Sequence, residues 1–296
     1  MAGLLVVTVV IGGLALGFAL FHHAGAKAGQ SSADQSSAGQ TGTGGSGPSH
    51  SGGRSPGTPA SPAGLRNVTA AWVTSQVSST AIVSCDPVMC QALKSHGRPA
   101  AQLRVIKPGK TDPLGSAVIV ATPVLRSQIG SRLGSVYAPA VLARFGSGSQ
   151  QIQVRIIAPH GAAAYMAQAQ ADLAARKLSG TELAQSSRIV VSGPARRELS
   201  SGEVDSRLMT VMTGLAARHP LDIMAFGDAG PSADVAPFRS AELAGSNLKG
   251  MLSDVRGQQS PYRVSHATFV RLGTGQTVLS IAFPAPTTFG LLGQSP

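Results

Sequence analysis

The residues best suited to chemistry are two cysteines in the run Cys85-Asp86-Pro87-Val88-Met89-Cys90. Asp followed by Pro is a strong helix start, because the carboxylate caps free amides and the ring suits the first helical position. With Asp86 as the cap, Cys85 and Cys90 fall at two positions that touch across the first turn of a helix. A disulfide between them is within reach, and an oxidising compartment would form it. Two reduced thiols packed as an apolar staple satisfy the same spacing. No metal site is expected, because zinc needs two further ligands and no His pair is spaced to supply them. The spacing is also not the Cys-x-x-Cys of redox enzymes.

Other chemistry is sparse. The chain contains no Gly-x-Ser-x-Gly elbow, no His-Glu-x-x-His helix and no Walker loop. Its 13 acidic residues form no paired-carboxylate motif. His160 falls in a turn, His219 at a helix end and His266 in a strand, so each reads as structural. Gly146-Ser147-Gly148 precedes a strand rather than a helix, which makes it a hairpin turn and not a phosphate cradle. The residues point away from an enzyme, and no cofactor is expected; an uncharacterised hydrolase stays open as the lesser alternative.

The elements that must position these residues alternate between helix and strand. A helix over 67–77 is followed by a strand at 80–84 and the Asp86-capped helix to about Lys94. Strands follow at 103–107 and 117–121, then a turn or short helix from Pro123, an apolar run at 138–145 and a strand at 151–157. Beyond these, a helix spans 161–177 and a strand 188–191. Ser200-x-x-Glu203 reads as a capping box opening a helix over 204–218, which His219-Pro220 stops. A strand at 221–226, a loop at 227–231, a helix over 237–256 with room for a break at Gly245, and two strands at 262–272 and 277–283 close the chain. Strands alternating with helices imply an α/β fold: two consecutive units with mixed, mainly parallel sheet, 65–158 and 159–284, and a C-terminal tail at 285–296.

Upstream, Leu4 to Phe21 carries no charge and Thr8 is its only polar side chain. At ~1.5 Å per residue it just crosses a ~30 Å bilayer core. It reads as a single-pass transmembrane anchor at 1–21, or as a signal peptide cleaved near Ala24-Gly25-Ala26. Residues 22–64 are rich in Gly, Ser and Pro without hydrophobic periodicity, as in a disordered linker with ends ~35 Å apart. The net charge of +11 and pI near 10.6 favour anionic partners. The basic residues are scattered, with Arg196-Arg197 the only adjacent pair, and aromatics are 4%. Nucleic acid is therefore not expected.

Residues ~66–158 resemble the extracytoplasmic C-terminal region of actinobacterial-type membrane glycosyltransferases related to protein mannosyltransferases. The likeness rests on the AAWV helix, on DPLGSAVIVATPVLRS, and most on Arg144-Phe-Gly-Ser-Gly-Ser-Gln-Gln-Ile-Gln-Val-Arg155. The multi-span portion that would carry glycosyl transfer has no counterpart here. What the resemblance implies is an accessory extracytoplasmic α/β domain. Residues ~186–284 are similar in element order to OmpA-like peptidoglycan-binding domains. That resemblance implies a loop aspartate and a helix arginine holding the carboxylate and amine of a wall peptide, and by position these are Asp228 and Arg239. Together these features suggest a membrane-tethered, extracytoplasmic binding or interaction module of the cell envelope. Its partner would be an anionic wall polymer or peptidoglycan, or a membrane protein for which it acts as scaffold or sensor.

Overall fold

The computed structural model describes residues 61–292 except 108, 110–111, 228–230 and 232–236. The anchor, the possible cleavage site and the linker up to residue 60 lie outside the described residues. Everything described belongs to one compact unit, Arg54–Pro296. Among the described residues, its three apolar cores draw on side chains between Leu65 and Leu292.

Two lobes share one element order but for an extra helix in the second. The first runs α1 (Pro62–Gln76), β1 (Val83–Cys85), α2 (Pro87–Ser95), β2 (Leu103–Val105), β3 (Val118–Ala121), α3 (Pro123–Ile129), β4 (Ala140–Phe145), β5 (Ile152–Ile156). The second runs α4 (Ala162–Gln185), β6 (Ile189–Val191), α5 (Gly193–Ser200), α6 (Ser206–Arg218), β7 (Leu221–Gly227), β8 (Ser240–Ala244), α7 (Leu248–Arg256), β9 (His266–Arg271), β10 (Thr277–Ala282). Each lobe holds a five-stranded sheet, ordered β2-β1-β3-β5-β4 and β6-β7-β8-β10-β9. In both, the last three strands follow one plan: a strand, a helix, then a hairpin whose second strand returns to the first.

The sheets are mixed, but they are not mainly parallel. β1–β2, β1–β3 and β6–β7 run parallel, whereas β3–β5, β4–β5, β7–β8, β8–β10 and β9–β10 run antiparallel. The reason is connection length. A parallel pair needs a crossover, and the short turns after Phe145 and Arg271 allow only hairpins. The 237–256 helix is the larger correction. Only Leu248–Arg256 is helical, and Ser240-Ala-Glu-Leu-Ala244 is a central strand. Its composition favours helix, but Ala241 and Leu243 alternate into the core between β7 and β10, and that packing overrides propensity.

Helix starts follow local chemistry. Ser61 accepts from the Gly64 amide at 3.1 Å and opens α1 at Pro62, so the turn assigned above to the linker's end is helical. Asp86 accepts from the Met89 amide at 2.9 Å and opens α2, as expected. Ser200 does not open a helix. It closes α5, donating to the Arg197 carbonyl, and the cap of α6 is Asp205, which accepts from the Arg207 amide at 2.8 Å. α4 runs past Lys177 through Gly180, where a Cβ would stand 2.2 Å from the Leu199 carbonyl oxygen. Glycine there permits a close crossing with α5 rather than ending the helix.

Residues 283–292, the described part after β10, pack back onto both lobes. Ala285 is buried and pairs with Val77, its amide donating to Gln76 O and its carbonyl accepting from Ser78 N, both at 2.8 Å. The segment then returns to the second lobe, where the Gly290 amide donates to Asp172 at 3.2 Å. Residues 283–292 thus form a strap that stitches the lobes together.

Candidate functional site

Between the lobes lies a cavity of about 640 Å³. One wall is α4. Tyr165, Ala169, Leu173 and Arg176 recur at helical spacing and share a face, with Met166 and Gln170 beside them. The facing wall is β4, an edge strand, through Ala140, Val141 and Leu142. Ser201-Gly202-Glu203 closes one end, and Phe238 with the strap residues Thr287 and Phe289 completes the lining. Phe289 meets Tyr165 edge to face, with ring centroids 5.1 Å apart.

The wall is held by a buried ion pair. Asp172 accepts from Arg176 Nε at 2.7 Å, from Ser206 Oγ at 3.1 Å and from the Gly290 amide. Arg176 also donates to the Gly202 carbonyl. Gly202 has φ +74°, and a Cβ there would stand 2.8 Å from Lys177 Cγ, so the turn needs glycine to lie this close to α4. One aspartate therefore joins α4, α6 and the strap, while its arginine adds the turn between α5 and α6. Burial, and then the Asp172 charge, push the Tyr165 phenol up to about 12, which keeps it neutral. These groups can enclose and orient a ligand. They provide no activated nucleophile: Asp172 is spent on Arg176, and the carboxylate lining the cavity, Glu203, stands exposed at the turn.

The sequence-derived candidates lie elsewhere. Cys85 and Cys90 form a disulfide, Cα–Cα 5.3 Å, buried under α2. Asp86 beside it accepts from Thr122 Oγ1 at 2.5 Å as well as capping α2. Arg239 precedes β8 rather than lying on a helix. It is 2% exposed, and its guanidinium donates to the carbonyls of Gln76 and Phe283, both at 3.3 Å. It ties the first lobe to the start of the strap. Asp228 lies outside the described residues. His219 pairs with Asp254 at 3.1 Å, and His160 and His266 stand in other elements, so the three do not converge. Among the described residues, no group of three His, Cys, Asp or Glu is placed to hold a metal ion. None of the described helices is long and apolar enough to cross a membrane.

Tyr165 and Met166, the latter 43% exposed, line the cavity and are not among the candidate residues named from the sequence. A signal was present. Asp172 and Arg176, four apart, are the first charges in an alanine-rich helix.

Comparison of the chain with protein-family models, curated proteins and solved structures returned no match.

Proposed function

We propose that this protein is a non-catalytic binding module of the cell envelope, tethered to a membrane by its N-terminal apolar stretch, with its two lobes outside. Its ligand occupies the cleft between the lobes. The single observation that carries this reading is the 640 Å³ cavity, walled by apolar and aromatic side chains and braced by the Asp172–Arg176 pair. A concave, mostly apolar site with a few fixed polar groups is how proteins hold small ligands. The buried disulfide supports an exported, oxidising location. The likeness of residues 66–158 to an extracytoplasmic accessory domain supports the same side of the membrane. The +11 charge brings the module toward anionic wall polymer or lipid head groups, a contact that salt screens. Peptidoglycan binding through Arg239 would require its guanidinium to leave two backbone carbonyls, which makes the cleft the preferred site.

The test is native mass spectrometry of residues 54–296 after incubation with an envelope extract. Wild type is expected to retain a small-molecule adduct, and Ala169→Phe, which places a ring in the cleft, is expected to lose it. Absence of an adduct, or one retained equally by both proteins, would refute the reading.

A further inference from the structure

We propose that the cleft takes one straight apolar chain, alkyl or isoprenoid, lying along α4, and that Phe289 sets how much of the chain it admits. The inference rests on the cleft being the ligand site and adds the class of ligand.

Three observations carry it. The first is the chemistry of the walls. Leu142, Tyr165, Met166, Leu173, Phe238 and Phe289 present carbon surface from both lobes and the strap. The only cation lining the cleft among the described residues is Arg176, and it is committed to Asp172 and the Gly202 carbonyl. Gln170, Ser201 and Thr287 are the uncharged polar side chains of the lining besides the Tyr165 phenol, too few to replace the hydration of a phosphate, carboxylate or hydroxyl-dense sugar, whereas a hydrocarbon loses nothing by entering. Glu203, at the turn that ends the cleft, is exposed and would repel an anionic head group from the interior.

The second observation is shape. A further cavity of about 380 Å³ lies against another face of α4, lined by Gln168, Ala171, Ala175, Gly290, Leu292 and Asp172, whose carboxylate is held by Arg176, Ser206 and the Gly290 amide. Phe289 is the residue common to both linings. Two chambers sharing one wall suit a long, thin ligand better than a compact one. The third is the floor. α4 offers Ala169, Ala171 and Ala175 to the two chambers, small side chains over which a chain can lie without a fixed ring-shaped recess. Met166 adds a flexible thioether that adapts to the chain.

Phe289 belongs to the strap and not to a helix or strand, and its described contacts are the edge of Tyr165 and the two cavity linings. The neighbouring Gly290 amide on Asp172 anchors the strap just beyond it.

The test uses residues 54–296, the neutral dye N-phenylnaphthylamine and a series of straight-chain alkanols of increasing length that displace it. In wild type, affinity is expected to rise about fourfold for each added methylene, the effect of burying ~0.8 kcal/mol of hydrocarbon, and then to level off. In Phe289→Ala the rise should continue to longer chains, and Phe289→Leu should fall between the two. Ala169→Phe should weaken every member by more than about tenfold, because a ring displaces several methylenes. The emission of Trp72, which stacks edge to face on Phe145 in the first lobe, reports whether each variant is folded. A length limit unchanged in both folded Phe289 variants would overturn the role given to Phe289. Alkanols that fail to bind, while Ala169→Phe still abolishes the adduct from envelope extract, would overturn the chain and leave the cleft as the ligand site. Failure of both would remove the cleft reading itself.

Discussion

Arg239 shows how a residue type can be read correctly while its role is missed. A guanidinium after a loop suggests recognition of a carboxylate, but here it satisfies two backbone carbonyls in a position 2% exposed. Sequence records the donor and not the acceptors, and these come from residues far along the chain. The cysteine pair was legible because its geometry is local: a cap, a proline and five residues settle which atoms meet. Replacing both cysteines by serine should destabilise the fold by about 2 kcal/mol, the loop-entropy value for so short a closure, measured by denaturant unfolding followed through Trp72. No change would mean the bond constrains nothing. Glu198 gives a pH test. Burial, and then the Glu203 charge, raise its carboxyl above the ordinary range, with Arg197 opposing. The fold therefore favours its neutral form. Its contribution is full below the unfolded carboxylate range and is lost as pH rises through the raised value. Glu198→Gln should gain stability over wild type as pH rises through that window, by roughly a few tenths of a kcal/mol given its partial exposure. A difference that is flat with pH would contradict this.

Among the elements, those with local signals were found in place. α2, α3, β3 and β5 begin and end close to where caps, prolines and alternation put them. β8 was not legible, because Ser240-Ala-Glu-Leu-Ala244 carries helix formers and becomes a strand only between two partners. α6 was found, but its start was misplaced: Ser200 and Glu203 match a capping spacing, while Asp205, whose carboxylate also grips Arg207 at 2.8 and 3.0 Å, does the capping. Glycine within helices separates packing from propensity. Gly180→Ala improves helix propensity by ~1 kcal/mol but drives a methyl into the Leu199 backbone, for a net loss of about 1–3 kcal/mol. Gly214→Ala, in α6 with open space around it, should instead raise stability by about 0.5–1 kcal/mol. Thermal unfolding of the two variants side by side checks the sign, and a stabilised Gly180→Ala would contradict the close crossing.

At the scale of the described residues, two lobes whose element orders differ by one helix are held together by a returning strap, a pattern that local sequence reading divides into two domains and a tail. The lobes' last strands follow one plan, yet the first two differ in order, β2-β1 against β6-β7, so the pairing of the parallel strands could not be read from element order. The cleft was invisible for a related reason: its walls come from β4, α4 and the strap, and each looks like ordinary core when read alone. The measurement that tests the cleft most directly is a methyl spectrum of methionine-labelled residues 54–296 during titration with a long-chain alkanol. Met166 lines the cleft, whereas Met89, Met209, Met212 and Met251 are buried in the lobes' cores. The account predicts a saturable shift of the Met166 methyl with the core methionines unmoved. A Met166 resonance that stays fixed while the alkanol binds would contradict it.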